Sequence, residues 1–576
     1  MTIPVVSLPA GGAPPAAGLS SRRSHDTAIA TGLLVALLLV ATLLIALPLL
    51  HVLLKSLQDE SGQFVGLRNF ALYAGNPGLR QSLGNSLVVC LLTTIITLPL
   101  AFLYSMALER SRIPAKAMFR GIALLPILAP SLLPAIALTY MFGNQGFLKF
   151  WMQGGSIYGL PGIVMAQVFY CFPSAVLILT TALSLSDARL YEAAQVLGAS
   201  RWRAFWTITL PAARYGLLSA VFVVVTLSIT DFGIAKVIGG PYSVLAIDIY
   251  KQIVGRQNFQ MGAVVGVVLL VPALLSYLVD MFVRRRQVAL LSSRTVLFRP
   301  RRRRFFDAVM LVAVLLIALV IVAIVGTAVF ASLVKMWPYD LSLSLSSYDF
   351  AAFDSLGWGA YRNSIVMSAG TAVGGTVLAF LGAYLIQKTA GNRVIAAVLH
   401  FLSMMPLAVP GLVLGLGYVF FFNSPGNPLH GLTGGLALMS LCCIAHYFTV
   451  PHMTALTAVK RLDDEFEAAS ASLGVPFWTL LRRVTVPVCL PAVVDIATYF
   501  FVNSMTTVAA VIFLYAPLTK VAAIAVVAMD DTGDTAAACA MAVLLLLTSA
   551  AVKALQSFTS LVVQRRTQGW RGDLRE

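Results

Sequence analysis

The chain has 576 residues, of which 59% are apolar and only 11% are charged, and its mean hydropathy is +0.88. A soluble protein of this size must cover itself with polar groups, so the composition excludes the ordinary soluble classes and indicates a chain solvated by a bilayer. The formal net charge of +17 would also fit nucleic-acid binding. Most basic residues, however, lie in alternate connections between the apolar segments, which is the positive-inside pattern of membrane proteins and argues against a nucleic-acid partner.

Twelve apolar segments are each long enough to cross a hydrocarbon core of about 30 Å as a helix. Backbone groups in lipid must be paired internally, which predicts helices, and the segments do not alternate as barrel strands would. We therefore expect an all-α integral membrane protein with about twelve transmembrane helices. The segments are 27–54, 83–108, 118–142, 157–184, 211–237, 260–283, 306–334, 363–387, 394–422, 431–458, 487–516 and 535–563.

The charge distribution places both termini and the Arg-rich connections in the cytoplasm. Residues 1–26, rich in Pro, Gly, Ala and Ser, are expected to form a disordered cytoplasmic tail, and residues 564–576 a second tail. The segment 27–54 is too long for the apolar region of a signal peptide, so it is interpreted as an uncleaved first span. The six cysteines show no CxxC spacing or Cys/His cluster, and no metal or other cofactor is expected on this chain.

The chain repeats itself, with equivalent features separated by 276 to 280 residues. Each half contains six segments, and this even number makes the halves parallel in the membrane. The first half spans 27–283, an Arg-rich cytoplasmic linker spans 284–305, and the second half spans 306–563. The matching features are Asn85-Ser86 and Asn363-Ser364 at the start of the second and eighth segments, and Pro126 with Pro130 and Pro406 with Pro410 in the third and ninth.

The most informative repeat lies between the fourth and fifth segments and again between the tenth and eleventh. We call residues 187–211 the first motif loop and residues 463–487 the second motif loop. The glycine and the proline stand equally far apart in both. The copies are Glu192-Ala193-Ala194, Gly198 and Ile208-Thr209-Leu210-Pro211 in the first loop, and Ala468, Ala469, Gly474 and Val484-Thr485-Val486-Pro487 in the second.

Each motif loop is expected to form two short helices joined at its glycine, which can take the positive φ that ends a helix. Acids are expected in the first turn, where they complement the helix dipole, and the proline in the first turn of the next span. An amphipathic helix lying on lipid headgroups is the alternative, but two matching copies favour a surface that binds a protein partner. The residues concerned are Asp187, Leu190, Ala193, Ala194, Leu197, Gly198 and Pro211, then Asp463, Asp464, Ala468, Ala469, Leu473, Gly474 and Pro487.

These residues resemble the EAA motif of ABC importer permeases: Glu-Ala-Ala, three residues, Gly, nine residues, Ile-x-Leu-Pro. The first copy matches at every named position, whereas in the second Glu467 lies one residue early and Ala468 takes the place of the acid. The resemblance implies a type I ABC importer permease fold with two coupling helices seated on a cytoplasmic ATPase dimer. The implied ATPase-docking residues are Glu192, Ala193, Ala194, Gly198, Pro211, Glu467, Ala468, Ala469, Gly474 and Pro487.

The chain lacks a P-loop of the form GxxxxGK[ST], so ATP and Mg²⁺ would be used by a separate ATPase subunit and this subunit would not be an enzyme. The predicted external loops are short, which implies a periplasmic substrate-binding protein and a location in the bacterial inner membrane. The fused six-plus-six arrangement resembles permeases of ferric iron, thiamine and phosphonate importers. An ion-coupled secondary transporter and an integral membrane enzyme are the alternatives from other classes.

Several stretches resemble a 2-aminoethylphosphonate permease, which makes that solute the leading substrate, with ferric iron, or another small solute such as thiamine, as the alternative. The stretches are 124–134, 229–233, 248–252 and 258–266. Polar residues inside spans often line pathways, and Asp231 would face an ammonium while Lys236 faces a phosphonate. Helix–helix packing is the competing interpretation, and Asp495 would simply bond to a neighbouring helix. The candidate pathway residues are Thr226, Ser228, Thr230, Asp231, Asn503, Ser504, Thr506 and Thr507.

Overall fold

The structure is a computed structural model that describes residues 17–184, 187–289, 300, 302–388, 392–424 and 426–567. Helices account for nearly all of its regular structure. Those of the first half are α1 (Ala17–Ala41), α2 (Leu47–Ser56), α3 (Arg68–Gly75), α4 (Pro77–Arg110), α5 (Lys116–Leu128), α6 (Leu132–Phe142), α7 (Leu160–Ser184), α8 (Ala188–Val196), α9 (Arg201–Ala204), α10 (Leu210–Thr230), α11 (Gly233–Ile238), α12 (Leu245–Tyr250) and α13 (Phe259–Ala289).

The second half repeats this order of long and short helices. Its helices are α14 (Arg304–Leu333), α15 (Trp358–Lys388), α16 (Arg393–Met404), α17 (Gly411–Phe422), α18 (Leu436–Tyr447), α19 (Thr449–Lys460), α20 (Glu465–Ser472), α21 (Phe477–Leu480), α22 (Val486–Val488), α23 (Leu490–Thr506), α24 (Ala522–Asp531) and α25 (Thr535–Thr567). A short hairpin of β1 (Val334–Met336) and β2 (Asp340–Leu343) follows α14, and the sequence analysis did not predict it.

Within the described residues, the twelve predicted segments form eight uninterrupted helices of membrane length and four bent pairs. The bends are 101° between α5 and α6, 117° between α16 and α17, 60° between α18 and α19, and 78° just before α23. The first two bends fall at the repeated proline pairs, which end in Pro130 and Pro410. Proline removes a helical N–H, and its ring clashes with the preceding turn. Two prolines four residues apart therefore give each of these two bends a local cause.

The two halves are interlocked by their first spans. The α1–α2 span packs on α16 and α17 of the second half, and α14 packs on α4, α5 and α6 of the first. The approach of α2 to α17 is close: a Cβ on Gly417 would lie 2.6 Å from the carbonyl oxygen of Pro48. Glycine is therefore required at this crossing, and neither half is a separate packing unit.

The repeated Asn-Ser pairs hold equivalent helix starts. The Oγ atom of Ser86 accepts a hydrogen bond from the backbone N–H of Leu245 at 2.9 Å, and Ser364 accepts one from Ala522 at 2.7 Å. Each serine thereby satisfies a backbone donor at the first turn of α12 or α24, which no intrahelical carbonyl can reach. The repeat seen in the sequence thus corresponds to a repeated structural contact.

The motif loops lie on one face of the protein. The helices that leave them, α10 and α23, end at Thr230 and Thr506, and the segments beyond these ends meet in an ion pair between Lys236 and Asp531. The ends of α10 and α23 away from the loops therefore share one side. We call the side with the loops the loop face and the opposite side the far face; α4 runs from the far face at its N-terminus to the loop face at Arg110.

Several predicted boundaries differ from the observed ones. Helix α1 begins at Ala17, so its first turns fall inside the segment expected to be a disordered tail, while residues 1–16 lie outside the described residues. The predicted linker begins and ends within helices, because α13 extends through Ala289 and α14 begins at Arg304. Most of the residues between these two helices are not described. Helix α25 reaches Thr567, and the remainder of the predicted C-terminal tail is likewise outside the described residues.

The expectation that Pro211 opens a span is wrong. A continuous helix runs from Arg201 to Thr230, and Pro211 follows a π-helical turn at Phe205–Thr209 within it. The second copy has the equivalent π turn at Leu481–Thr485, just before Pro487. The wider π turn accommodates a proline that has no N–H and whose ring would clash with a regular turn.

Candidate functional site: the paired motif loops

Both motif loops begin with an aspartate that caps a short helix. The carboxylate of Asp187 accepts from the N–H of Arg189 at 3.0 Å, and that of Asp463 accepts from the N–H of Glu465 at 3.3 Å. These acids lie just before α8 and α20, not inside the first turn as the sequence predicted. Their stabilising effect is the expected one, because a capping carboxylate satisfies a free N–H and faces the positive end of the helix dipole.

Both short helices end at the motif glycine, as predicted. The φ angle is 69° at Gly198 and 64° at Gly474, in the left-handed region that side chains other than glycine rarely adopt. The chain then closes with the same hydrogen bond in each copy: Ala199 N–H to Ala194 O and Val475 N–H to Ser470 O, both at 2.9 Å. The two loops therefore share one backbone geometry despite their different sequences.

The motif loops expose large apolar side chains. The exposed fraction is 88% for Val196, 84% for Leu197 and 77% for Leu473. Glu192, Ala193, Ala468 and Ala469 are also exposed, whereas Ala194 is half-buried. Apolar groups in lipid-facing spans need no partner, but the charge pattern predicts that these loops lie in water, where exposed apolar surface is typical of interaction sites.

Exposed tryptophans extend this surface at the start of the next helix in each half. Trp202 is 71% exposed and stacks on Phe205 with ring centroids 6.0 Å apart, and its counterpart Trp478 packs on Phe477 at 4.5 Å. The sequence analysis did not single out these aromatics. Their equivalent spacing from the motif glycines was the signal that would have identified them.

A basic residue at the loop-face end of α4 or α15 holds each motif loop. In the first half the guanidinium of Arg110 lies 4.8 Å from the ring centre of Tyr191 and donates to Leu183 O at 3.1 Å. In the second half Lys388, with a side chain only 3% exposed, lies 2.5 Å from Asp464 and 3.4 Å from Glu467.

Glu467 thus occupies the structural position of Tyr191, and not that of Glu192. Its carboxylate is turned toward Lys388 and is half-buried, while the first-copy glutamate is exposed. The displaced acid of the second copy therefore contributes to an internal anchor. We call Arg110 with Tyr191 the first anchor, and Lys388 with Asp464 and Glu467 the second anchor.

The polar residues late in α10 and α23 mostly bond to their own helices. The hydroxyl and amide groups that form such bonds donate to a carbonyl one turn back, at 2.6 to 3.0 Å. These bonds favour helix–helix packing over an open polar passage as the role of these residues. Among the described residues, no hydrogen bond joins the two sets. The side chains with these bonds are Thr226, Thr230, Asn503, Ser504 and Thr506; Ser228 and Thr507 are buried.

Asp231 and Lys236 both have protein partners. One carboxylate oxygen of Asp231 accepts from the N–H of Ile234 at 2.9 Å and from the amide of Gln167 at 3.4 Å, so this acid caps the start of α11. Lys236 pairs with Asp531 at 2.9 Å. The charge of Lys236 is thus paired with a carboxylate, contrary to its predicted role, whereas Asp231 has neutral donors and its predicted role stays a prediction.

In each half, a hydrogen bond to an acid joins the fifth and sixth spans. The two residue pairs that form these bonds stand at equivalent positions of the repeat. Ser219 of α10 donates to Asp280 of α13, and in the second half Gln556 of α25 donates to Asp495 of α23. The prediction that Asp495 bonds to a neighbouring helix is confirmed. Sequence analysis missed Asp280, although an acid inside an apolar segment was a visible signal.

Twelve candidate spans in two equivalent halves, with two exposed loops of one geometry, define a membrane transport subunit with a repeated six-helix plan. The chain belongs to the family described as the binding-protein-dependent transport system inner membrane component, whose model matches residues 98–288 and 375–560. It is therefore a permease subunit of an ABC importer with both permease halves fused in one chain. This result confirms the predicted fold class.

The relatives include iron permeases that span most of this chain. It is 26% identical over 541 residues to the ferric transport system permease protein FbpB of Actinobacillus pleuropneumoniae, covering 90% of this chain and 77% of that protein. It is 24% identical over 537 residues to an Fe(3+)-transport system permease protein of Haemophilus influenzae, covering 89% and 95%. A bacterial ABC transporter for alginate import matches 42% of this chain and 88% of the solved chain, with 16% identity and a TM-score of 0.34.

Proposed function

We propose that the two motif loops are the docking sites for a cytoplasmic ATPase dimer, one loop per ATPase subunit. The observation that carries this proposal is the pair of exposed apolar surfaces around Leu197 and Leu473, on loops of equal geometry in the two halves. Small neighbours such as Ala193 and Ala469 allow a partner backbone to approach closely. The proposed orientation puts the loop face and both termini in the cytoplasm of a bacterial inner membrane.

In this proposal, ATP binding draws the two ATPase subunits together and the motif loops move with them. In both halves the anchors would carry that movement into the membrane, because they tie the loops to α4 and α15. In the first half the continuous helix from Arg201 to Thr230 would carry it as well. The two halves would then alternate between states that ATP and the receptor stabilise differently.

Copurification tests the docking proposal. Leu197→Glu and Leu473→Glu place a charge on the proposed contact, and each is expected to weaken capture of the ATPase by at least about tenfold, since a buried unpaired charge is costly. Leu343→Glu is the matched control, because Leu343 is 72% exposed on the hairpin. Equal ATPase capture by all three variants and the unsubstituted chain would disprove docking through these loops.

For the substrate, we propose 2-aminoethylphosphonate, delivered by a periplasmic binding protein. The support is the set of resembling stretches, of which 229–233 and 248–252 include parts of the segments between the fifth and sixth spans. Ferric iron is the second candidate, favoured by the names of two relatives that match about nine tenths of this chain. The importer class does not depend on which of the two is transported.

Uptake into cells distinguishes the two substrates. A strain that grows on 2-aminoethylphosphonate as sole phosphorus source is expected to lose that growth when this chain is deleted, and to keep its uptake of radioactive ferric iron. Complementation with the intact gene should restore growth, and the Leu197→Glu variant should not. Loss of iron uptake with normal growth on the phosphonate would replace the first candidate with the second.

A further inference from the structure

A polar cavity of about 500 Å³ opens on the far face of the first half. Its walls are the N-terminal turns of α4, the segment 241–243, and α12 with the π turn that follows it. Small-molecule sites commonly have volumes of about 300–1,000 Å³, so the space is sufficient for a small solute. The sequence analysis assigned no role to this region beyond its resemblance stretch.

The wall of this cavity contains a carboxylate that lacks a full set of partners. Asp248 is only 6% exposed, and its Oδ2 atom has no hydrogen-bond partner among the described residues. Burial raises the pKa of Asp248, while the hydroxyl of Ser82 and then the nearby cations Lys251 and Arg256 lower it. A buried carboxylate is costly unless a donor satisfies it, so the cavity is suited to a hydrogen-bond donor or a cation at this point.

Two basic side chains lie on the same wall of the cavity. Lys251 and Arg256 both line it and are both exposed, and the ammonium of Lys251 donates to the Oγ atom of Ser243 at 2.7 Å. Neither cation forms an ion pair within 4.0 Å with Asp248 among the described residues. The cavity therefore offers one negative and two positive groups that form no direct ion pair with each other.

The second half provides an internal comparison, because an ion pair of the protein itself lies at the equivalent positions. Lys520 and Asp354 form an ion pair at 2.6 Å, with side chains only 15% and 7% exposed. Their counterparts in the first half are the uncharged residues Ser243 and Asn76, and both line the cavity. Where the second half has an ammonium and a carboxylate of its own, the first half has two neutral side chains on the wall of the cavity, and Ser243 accepts a hydrogen bond from Lys251 of the π turn after α12.

The charged residues of α12 are not needed to build this part of the fold. Asp248 and Lys251 correspond to Ala525 and Ala528 in α24, and both helices start at the same serine-bonded position. The same helix therefore forms with alanines at these positions. A structural role common to both halves does not explain the acid and the base of the first half.

We propose that this cavity binds a small zwitterionic solute. Its ammonium would bind at Asp248, and its anionic group, a carboxylate or a phosphonate, would bind at Lys251 and Arg256. The solute would thus supply the two charges that Lys520 and Asp354 supply in the second half. The site needs only the folded chain, so it does not depend on the proposed ATPase docking or on the identity of the transported substrate.

Direct binding to the purified full-length chain tests the proposal, with radioactive 2-aminoethylphosphonate as the probe and no receptor or ATPase present. We expect saturable binding that Asp248→Asn and Lys251→Met each weaken by about tenfold or more, because each removes a charge-assisted contact. Ethylamine and ethylphosphonate, which carry one charge each, should compete at least about tenfold more weakly than the unlabelled zwitterion. Lys335→Met, at an exposed far-face lysine in the hairpin, is the matched control and should bind normally.

A second variant fills the cavity without removing its charges. The double substitution Asn76→Asp with Ser243→Lys recreates the ion pair of the second half, so it should abolish binding while the chain keeps its gel-filtration profile and thermal midpoint. No saturable binding up to about 10 mM, or equal binding by the Asp248→Asn, filled and unsubstituted chains, would overturn the proposal. Binding that requires the receptor would also overturn it, because a receptor side chain would then be the occupant.

Discussion

The ammonium of Lys236 lies 2.9 Å from the carboxylate of Asp531, and this ion pair joins the first half of the chain to the second. Lys236 belongs to α11 and Asp531 ends α24, so the contact closes the far face between the halves. The same ammonium lies 5.2 Å from the ring centre of Tyr250, which in turn stacks on Phe513 of the second half. These contacts hold the far face together in the state that the structure represents.

This pair is expected to act as a weak latch. The side chains of Lys236 and Asp531 are 20% and 47% exposed, so the pair should contribute no more than about 1 kcal/mol to the free energy of unfolding. In a chain without its six native cysteines, Lys236→Met and Asp531→Asn should each raise the labelling rate of a cysteine placed at the neighbouring buried residue Ile512. The double variant should label no faster than either single variant, because both remove one contact.

Charge reversal is the control for the latch. Lys236→Asp combined with Asp531→Lys should restore the slow labelling that each single reversal abolishes. Additive labelling rates in the double variant, or no rescue by the reversal, would show that the two side chains act independently.

Asp530, beside the latch, should make stability depend on pH. Burial, and then the neighbouring carboxylate of Asp531, raise the pKa of Asp530 to about 6. Because its pKa is higher in the folded chain than in the unfolded one, the folded state gains stability as pH falls through about 6 and loses it as pH rises. Asp530→Asn should therefore raise the free energy of unfolding at pH 7.5 by an amount on the order of 1 kcal/mol, and the thermal midpoint with it, but change both little at pH 4.

The control for this pH effect is Glu60→Gln, which removes an exposed far-face acid. It should leave the pH profile of the thermal midpoint unchanged. A stabilisation by Asp530→Asn that is equal at both pH values would contradict the account, since it would show that charge is not the cause.

A substitution at either motif glycine should be tolerated according to how readily the new residue adopts a positive φ. Gly198→Val and Gly474→Val should each cost about 1–2 kcal/mol of local backbone strain and uncouple transport. Gly198→Asn is the graded control, because asparagine enters the left-handed region more readily. A Cβ at Gly198 would meet nothing within 4 Å, so strain and not a clash inside the chain is the expected cause.

The measurement is receptor-stimulated ATPase activity of the reconstituted transporter, with membrane insertion checked by yield. Normal stimulation in both valine variants would show that the geometry of the loops is not needed for coupling. Equal loss in the valine and asparagine variants at position 198 would show that side-chain size, and not φ, decides the effect.

The second anchor should couple the second motif loop to α15. Lys388→Met leaves Asp464 and Glu467 without their common cation, and we expect receptor stimulation of the ATPase to fall several-fold while insertion stays normal. Lys460→Met is the matched control, because it removes an exposed lysine at the end of α19.

Glu467→Tyr tests the equivalence of the two anchors. It places at position 467 the residue type that Tyr191 supplies in the first half, where a cation lies over its ring. This variant should retain more stimulation than Glu467→Ala. If the alanine variant were as active as the tyrosine variant, the anchor would have no role in coupling.

The repeated arrangement of the spans was predictable from the sequence, because it depends on long apolar segments and on glycines and prolines, whose effect on the backbone is local. The motif glycines Gly198 and Gly474 took the predicted conformation, and the proline pairs of the third and ninth segments marked real breaks. The size of the bends at Pro130 and Pro410 was not predictable, because the packing of the whole bundle decides it. The π turns before Pro211 and Pro487 were missed for a similar reason, since they are a response to those prolines inside a continuous helix.

The sequence was less informative about side chains whose role depends on a distant partner. Lys236 was assigned to a solute because Asp531, its partner, lies in the other half of the chain. The displaced Glu467 was interpreted as a docking residue because its contact with Lys388 spans two helices. The cavity at Asp248 was not predictable, because its walls come from α4, the segment 241–243 and α12, which lie far apart in the sequence.

The most direct test of the central claim is the stoichiometry of the assembled transporter in detergent, measured by light scattering after copurification. We expect one copy of this chain with two copies of an ATPase subunit, in a complex that dissociates when Leu197 and Leu473 are both replaced by glutamate. A chain that transports its solute in vesicles without any ATPase, or a complex unaffected by the double substitution, would contradict it.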